Sequence, residues 1–391
     1  MAGALDLSSH PQPPTDGEDD RMARLRLLRS RRVGPVTYRR LVAEHGSAAQ
    51  ALAALPEIAR AAGLSGYAPF SEAEARREVA AARDAGARAL FIGEPGYPRA
   101  LLALPDAPPM LWAVGDPALA ARPAIAMVGA RDASSLGARM AASLAKALGE
   151  LGFVVVSGLA RGVDGIAHRA ALETGTVAVL AGGVDVYYPA QNAVLAHEIA
   201  ARGLILSERP MGLQPRAKDF PLRNRIVSGL VRAVVVVEAA ERSGSLITAR
   251  AALDQGRDVL AVPGHPLDAR AGGCNLLIRD GATLVRSAAD VIEAIGPAEA
   301  PWPEPALQHA PPAARSAPPV PPRPAGQPAT HADAAPIRAA LLALLGPSPT
   351  PEDQILRDVP FPVERALPEI AMLELEGRIE RRPGGLLALA G

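Results

Sequence analysis

The sequence has a single cysteine, few aromatic residues and no excess charge of either sign. Because Cys274 is alone among 391 residues, the chain can form neither an internal disulfide nor a thiolate zinc cluster. Aromatic residues make up 3% of the chain, and 41 Lys and Arg balance 41 Asp and Glu, so a polyanion would have to meet a local patch. The seven histidines show no ligand spacing. We therefore expect no metal, no other cofactor and a reducing environment.

Long apolar runs are missing as well. No stretch approaches the ~20 apolar residues that span a membrane, and residues 1–20 are polar and acidic, without the apolar core of a signal peptide. We expect a cytoplasmic protein with no membrane partner and a disordered tail at 1–20. A chain of this length predicts more than one domain.

Composition divides the rest of the chain into four parts. Residues 297–335 are dominated by Pro and Ala and lack apolar periodicity, which predicts an extended linker. Residues 21–90 predict several short helices with a break at Gly34-Pro35, either a DNA-contacting helix-hairpin-helix or SAM-like module or a domain with a packing or partner-binding role. Residues 336–391 predict a winged helix, and residues 91–296 form the largest part.

That largest part alternates short apolar runs with helical segments. From Ile125 the runs are "IAMVGA", "FVVVSGL", "TVAVLAGG", "LILSE", "AVVVVEA" and "DVLAVPG". Runs of this kind are typical of strands buried on both faces, and their alternation with helices indicates an α/β fold with a doubly wound, mostly parallel sheet. Ligands are then expected at the carboxyl ends of the strands.

The loops after the first two runs are rich in small residues. Gly129 and Arg131 lie in the turn before a helix capped by Ser134 or Ser135, which predicts a seat for an anion. No G-x-G-x-x-G and no acidic ribose ligand accompany this turn, so a dinucleotide site is disfavoured.

The second of these loops contains Ser157, Gly158 and Arg161, and small residues there let a backbone approach closely. Asp164 and His168 share a helix face four residues apart, but without a placed nucleophile we interpret them as a capping or packing pair rather than a catalytic dyad.

The stretch "KDFPLRNR" concentrates a ring and three cations at the start of a helix. Pro221 suits the first turn of that helix and favours an extended backbone at Phe220 before it. Lys218 precedes the positive helix end, while Arg223 and Arg225 are two residues apart and cannot point the same way. A cation beside a helix N-terminus suits phosphate, and a ring suits a stacked base, which together predict single-stranded nucleic acid. The alternative is a core phenylalanine with ordinary surface charges.

A further loop, "ERSGSLITA", follows the "AVVVVEA" run. It contains Ser243, Gly244 and Ser245 and places Thr248 in the next helix. Since these loops face the same edge of the sheet and bring no clear acid–base pair, they predict a binding groove rather than a reaction centre.

Seven longer motifs follow one another in this part of the chain: "GYPRALL", "VGAR", "VVSGLARGVDGIAH", "GGVDVYYPAQN", "FPLRNRIVSGL", "SGSLITA" and "VPGHPLDARAGGCNLLIRDGA". With these motifs in this order, the sequence resembles the DprA/Smf family of DNA-processing proteins of natural transformation, and the resemblance covers about residues 95 to 290. It implies an extended Rossmann-like fold that binds single-stranded DNA, forms homodimers and loads a RecA-type recombinase. By resemblance, the DNA-binding positions are Arg131, Lys218, Phe220, Arg223 and Asn224, with the Ser157-Gly158 and Ser243–Ser245 loops around a phosphate pocket.

Two departures and two alternatives accompany this interpretation. Ala130 and Ala271 stand where the family often has serine. The fold also admits a nucleotide phosphoribohydrolase, but those enzymes have a Pro-Gly-Gly-x-Gly-Thr loop where this chain has Pro263-Gly264-His265. A scaffold that never touches DNA is the third interpretation.

The winged tail predicts a protein contact or packing role, because its third helix carries Glu364, Glu369, Glu374 and Glu376 against Arg365 alone. Arg378, Arg381 and Arg382, at the wing, form its only basic edge.

Overall fold

The computed structural model describes residues 17–64, 66–299, 334–346, 349–382 and 385–390. Residues 1–16 of the predicted tail and residues 300–333 of the predicted linker lie outside this range. The chain divides into two compact units, of which the first holds the N-terminal helices and the large sheet, and the second holds the winged helix.

Four helices precede the sheet: α1 (Glu18–Arg29), α2 (Pro35–His45), α3 (Ala48–Ala61) and α4 (Glu72–Asp84). Helix α2 begins directly at the Gly34-Pro35 break, because a proline at the first helical position loses no hydrogen bond. Helix α4 begins with a capping box between Ser71 and Glu74. Helix α1 begins at Glu18, inside the stretch predicted to be a disordered tail.

The sheet has nine strands in the order β1-β2-β6-β5-β4-β3-β7-β8-β9. They are β1 (Arg88–Phe91), β2 (Met110–Gly115), β3 (Ala124–Val128), β4 (Val154–Ser157), β5 (Thr176–Val179), β6 (Leu204–Ser207), β7 (Ala233–Val236), β8 (Asp258–Ala261) and β9 (Thr283–Leu284). The six predicted runs are β3 to β8, and all pair in parallel. The predicted mostly parallel fold is confirmed, with an antiparallel edge of β1 and β2 added.

Helices cover both faces of this sheet: α5 (Ser135–Glu150), α6 (Val163–Ala170), α7 (Ala193–Arg202), α8 (Asp219–Gly229), α9 (Ser245–Asp254), α10 (Gly272–Arg279) and α11 (Ala288–Ile295). Alternate residues of β3 enter two different apolar cores, Ala126 on one face and Ile125 and Met127 on the other. This double burial explains why the strand is a continuous apolar run in the sequence. The strand order reverses between β3 and β7, which makes the carboxyl ends of these strands the topological switch point.

The second unit is a winged helix, as predicted. It contains α12 (Ala334–Leu344), β10 (Thr350–Pro351), α13 (Glu352–Asp358), α14 (Val363–Leu375), β11 (Ile379–Arg382) and β12 (Leu386–Leu389), with β12 between β10 and β11. Ile337, Leu341 and Leu373 belong to its apolar core. In the part of the chain that the structure describes, no helix is both long and apolar enough to cross a membrane.

Candidate nucleic-acid interface

An aromatic ring with two cations lies at the carboxyl edge of the sheet. Phe220, the second residue of α8, is half-buried. The guanidinium carbon of Arg131 lies 5.4 Å from the centroid of its ring, and that of Arg223 lies 5.9 Å away. Both distances fall within the range of cation–π attraction. The structure therefore brings together three predicted residues that come from the β3–α5 loop and from α8.

The backbone at this ring differs from the one expected. Helix α8 begins at Asp219, two residues before Pro221, so Phe220 is helical rather than extended. A following proline only biases a residue away from the helical region, and here the Asp219 carboxylate supports the helix start by accepting from the Arg216 N–H at 2.8 Å. The ring still lies in the first turn of the helix.

Arg223 is a buried cation. It is 6% exposed, and its Nη1 donates to the carbonyl oxygens of Gly158 and Val179, both at 2.5 Å. Its Nε donates to the side-chain oxygen of Asn224 at 3.2 Å, so Asn224 orients the guanidinium group. Burial lowers the pKa of Arg223 to about 10, which leaves it charged at neutral pH.

A small pocket opens beside this cation. Arg223, Gly158 and Phe220 line it together with Gly182 and Tyr188. A Cβ atom on Gly158 would lie 2.3 Å from Nη1 of Arg223, so only glycine allows the guanidinium group to lie against this backbone. The pocket thus combines a fixed positive charge with two aromatic walls.

The loop that contains Gly158 is held from within. The buried carboxylate of Asp164 accepts hydrogen bonds from the backbone N–H of Gly158 at 3.1 Å and of Ala160 at 3.3 Å. The side-chain amide of Asn192 donates to the carbonyl oxygen of Ala160 at 3.0 Å. Internal hydrogen bonds therefore hold this loop in place beside the pocket.

Asp164 and His168 do not form a catalytic dyad. Asp164 is bonded to the loop, whereas Nδ1 of His168 lies 2.7 Å from Oγ1 of Thr176, inside the protein. Burial, reinforced by the positive charge of Arg223, lowers the pKa of His168 to about 3, so the ring is neutral at pH 7. The two side chains pack and cap, as interpreted from the sequence.

Two further predicted cations are exposed near this cluster. Lys218 immediately precedes α8 and so lies at the positive end of that helix. Arg161 lies in the β4–α6 loop, which touches the β3–α5 loop through a hydrogen bond from the Val163 N–H to the Ala130 carbonyl oxygen at 3.1 Å. Both side chains are exposed at this edge of the sheet.

The anion seat predicted at the start of α5 is already filled by the protein itself. The carboxylate of Glu238, which follows β7, accepts hydrogen bonds from the backbone N–H of Ser134 at 3.1 Å and from its hydroxyl at 2.9 Å. A Cβ atom on Gly137 would lie 1.9 Å from an oxygen of that carboxylate, so the carboxylate packs directly against the start of the helix and leaves no space there for a second anion. Arg270 lies 3.5 Å from the same carboxylate. The prediction of an open seat was wrong, because the sequence does not reveal that β7 delivers an acid to this helix end.

Three predicted contact residues lie inside the protein instead. The Ser157 hydroxyl is fully buried and donates to the Met127 carbonyl oxygen at 2.6 Å. Arg225 is 5% exposed, donates to the carbonyl oxygen of Asp106 at 2.7 Å and forms an ion pair with Glu208. Thr248 is also buried. The prediction that these three residues contact DNA is therefore corrected, because their side chains point among neighbouring strands and helices rather than to the edge of the sheet.

The loop from Ser243 to Ser245 lies at the same edge, after β7. The two serine hydroxyls lie 2.7 Å apart and bond each other. Ser245 is buried, whereas Gly244 between them is exposed. With strands about 4.8 Å apart, this loop is roughly 10 Å from the β4 loop. Among the described residues, no hydrogen bond or ring contact joins it to Phe220.

Two contributors to this region were missed from the sequence. Tyr188 lines the pocket, and Asn192 fixes the β4–α6 loop. The pair Tyr187-Tyr188 was a usable signal, since the chain has five tyrosines in all. No local pattern marks Asn192, because its partners are 32 and 33 residues away.

The arginines of α1 are used for packing. Arg24 donates to the Ile92 carbonyl oxygen at 2.5 Å and pairs with Glu94 at 3.0 Å, while Arg29 pairs with Glu78 at 2.8 Å. These bonds tie α1 to the turn after β1 and to α4. They favour the packing interpretation of these helices over a DNA contact.

The wing offers less free positive charge than its sequence suggests. Arg381 lies 2.6 Å from Glu352 and 3.7 Å from Glu374, and Arg382 pairs with Glu380. Arg378 is exposed. In the described chain, no group of three or more His, Cys, Asp or Glu is arranged to hold a metal ion.

Comparison with known proteins assigns all three regions to one family. Residues 88–296 match the family model described as DNA recombination-mediator protein A, residues 18–81 match the DprA-like N-terminal HHH domain, and residues 311–385 match the DprA winged helix domain.

Individual relatives agree with these matches. The DNA processing protein DprA of Streptococcus pneumoniae is 46% identical over 198 residues, which are 50% of this chain and 70% of that protein. Protein Smf of Escherichia coli is 37% identical over 296 residues, 75% of each. The X-ray structure of the S. pneumoniae DprA superposes with a TM-score of 0.57 at 36% identity and covers 70% of this chain and 96% of that one. On the strength of its core, its helical N-terminal region and its winged helix, this chain belongs to the DprA/Smf family of DNA-processing proteins.

Proposed function

We propose that this protein binds single-stranded DNA at the carboxyl edge of its sheet and performs no chemistry on it. The observation that carries the proposal is the half-buried ring of Phe220 with Arg131 and Arg223 on it. Stacking on a ring needs an unpaired base, and the phosphates on either side need cations. Duplex DNA hides its base faces within the stack, so the same cluster disfavours it.

Two properties of the site favour binding over catalysis. Its buried acid, Asp164, is bonded to the backbone, and its buried histidine is neutral and faces Thr176. Neither can reach a ligand in the pocket to transfer a proton. A phosphoribohydrolase would release a free base from a nucleoside monophosphate, and we expect no such release.

We further propose that the bound strand is passed to a RecA-type recombinase in the cytoplasm during natural transformation or recombination, and that the protein acts as a homodimer. The description of the matching family as a recombination mediator supports the first part. The homodimer rests on the family resemblance. The predicted residues that are exposed at this edge, Arg131, Arg161, Lys218 and Gly244, belong to this proposal, together with the half-buried Gly129 and Ser243.

Fluorescence anisotropy tests the proposed binding. A labelled thymidine oligomer and a duplex of the same length are titrated with the wild type, with Arg131→Ala and with Arg169→Ala. Arg169 is an exposed arginine at the last turn of α6, so it provides the same loss of charge away from the edge.

We expect the wild type to prefer the single strand, Arg131→Ala to bind it several-fold more weakly, and Arg169→Ala to match the wild type. The proposed site would be contradicted if Arg131→Ala and Arg169→Ala lost the same affinity for the single strand, or if the wild type preferred the duplex.

A further inference from the structure

A second aromatic ring stands beside Phe220 and is exposed. Tyr188, in the loop between β5 and α7, has 51% of its surface exposed. Its ring centroid lies 5.9 Å from that of Phe220, with 58° between the ring planes. A large exposed ring is uncommon in a chain with 3% aromatic residues, and this one borders the pocket of the proposed site.

The neighbouring tyrosine has a different, structural role. The Tyr187 ring packs edge-on against His197, with 4.8 Å between centroids, and contacts an apolar core. One tyrosine of the pair therefore anchors the loop, while the other presents its ring to the surface.

The backbone around Tyr188 is tied down on both sides. The Asp185 carboxylate accepts a hydrogen bond from the Gly212 N–H at 2.9 Å, and the Val186 N–H donates to the Gly183 carbonyl oxygen at 3.0 Å. After the tyrosine, the Asn192 N–H donates to the Pro189 carbonyl oxygen at 2.9 Å. With the backbone held, only the two side-chain torsions of Tyr188 remain to be ordered when a ligand stacks on its ring, which favours a binding role.

The two rings cannot hold one base between them. Stacked layers are about 3.4 Å apart in DNA, so a base inserted between two rings needs roughly 7 Å and parallel planes. The observed 5.9 Å and 58° satisfy neither condition. Each ring must instead offer its own face to its own base.

On the basis of the proposed function, we propose that Tyr188 is a second stacking platform for single-stranded DNA, which holds the base next to the one on Phe220. The two platforms differ in charge. Arg131 and Arg223 lie over Phe220, whereas no cation of the described chain lies over the Tyr188 ring. Tyr188 therefore contributes stacking without neutralising a phosphate charge.

The test measures affinity against oligomer length. Thymidine oligomers of increasing length are titrated with the wild type, Tyr188→Ala, Tyr188→Phe and Leu253→Ala. Leu253, near the end of α9, is 58% exposed and provides the loss of an exposed apolar side chain elsewhere on the molecule.

For long oligomers we expect Tyr188→Ala to lose about 5- to 150-fold in affinity, the range for one stacked base. Tyr188→Phe and Leu253→Ala are expected to stay within about twofold of the wild type, because the first keeps the ring and the second leaves the site intact. The slope of affinity against salt is expected to be unchanged in Tyr188→Ala. The loss of affinity of Tyr188→Ala relative to the wild type should disappear for oligomers that are too short to reach both rings.

Phe220→Ala and Arg131→Ala, measured in parallel, separate this inference from the proposed function. If they weaken binding while Tyr188→Ala matches Leu253→Ala, the second platform is wrong and the site stands. If none of the three weakens binding, the site itself is wrong.

A second readout needs only a conservative change. In Tyr188→Trp the indole emission should be quenched when a thymidine oligomer binds and unaffected by duplex. Binding without quenching would overturn the inference, even if the alanine variant failed to fold.

Discussion

At the scale of single residues, burial assigns different roles to side chains of the same type. Arg223 and Arg225 are two positions apart in α8, and both are buried, yet only Arg223 borders the pocket. Arg225 is held by Asp106 and Glu208 on another side of the helix. The sequence predicts that the two cannot point the same way. It does not say which one meets the acids, since these come from elsewhere in the chain.

The contact between Arg131 and Phe220 leads to a prediction about coupling. In the free protein Arg131 lies over the ring, whereas in the proposed complex the phosphate takes the cation and a base takes the ring face. We expect Phe220→Ala to cost about 1–3 kcal/mol in binding, with no change in the salt slope. Arg131→Ala should reduce the magnitude of the log–log salt slope by about 0.7, which is the contribution of one phosphate contact.

The double variant is expected to fall short of the sum of the single losses by about 0.5 kcal/mol or more, since the two residues touch. Anisotropy titrations at several salt concentrations measure all four proteins. Strict additivity would mean that Arg131 and Phe220 bind the strand independently.

At the scale of secondary-structure elements, the ends of helices decide where an anion can bind. Helix α5 starts at the topological switch point, the usual place for a ligand in this fold. There Glu238 already bonds to Ser134 and lies near Arg270. Helix α8 also begins with an acid, Asp219, but that carboxylate accepts from the Arg216 N–H ahead of the helix, and no side chain caps the helix start beside Lys218. The protein's own carboxylate thus closes one helix end, and the proposed DNA site lies near the other.

An internal carboxylate of this kind can be replaced chemically. Glu238→Ala leaves the Ser134 N–H without its acceptor, which should cost about 1–3 kcal/mol and lower the melting temperature by several degrees. Acetate should restore part of this loss, because it fits the space that the side chain leaves and the helix end attracts anions.

Thermal melts in acetate and in chloride at equal ionic strength measure the effect. Glu238→Gln serves as the control, since it keeps an oxygen acceptor and fills the space. If acetate raises the melting temperature of Glu238→Ala no more than that of the wild type, Glu238 is not the anion of this helix end.

At the scale of the whole molecule, the charge that matters is local. The net charge is zero, so general attraction to a polyanion is weak, and any salt dependence has to come from a few placed cations. Many arginines are engaged elsewhere, including those of α1 and two in the wing.

This distribution predicts the salt dependence of binding. About three phosphates neutralised per protomer give a log–log slope of roughly −2 for a single strand. Titrations of the full chain at four or more salt concentrations measure it, with Arg378→Ala as a probe of the exposed wing cation. A slope steeper than about −4, or one that flattens in Arg378→Ala, would show that the winged helix shares in the binding.

The sequence predicted the features that depend on neighbouring residues, and it missed those that depend on residues far apart in the chain. Strands β3 to β8 and the α2 break at Gly34-Pro35 are marked by local apolar runs and by backbone preferences, so they were predictable. Strands β1, β2 and β9 were not, because the first two are antiparallel additions at an edge and β9 has two exposed residues.

Local sequence was enough to establish the α/β class, the parallel run of strands, the winged helix and the family, because periodicity and ordered motifs are properties of neighbouring residues. The folded arrangement was needed to show which polar groups remain available at the edge. Glu238 reaches the start of α5 across 104 residues, and Arg223 reaches Gly158 across 65. Contacts over such distances depend on how strands are ordered in the sheet, and burial then determines which charges are left to meet a ligand.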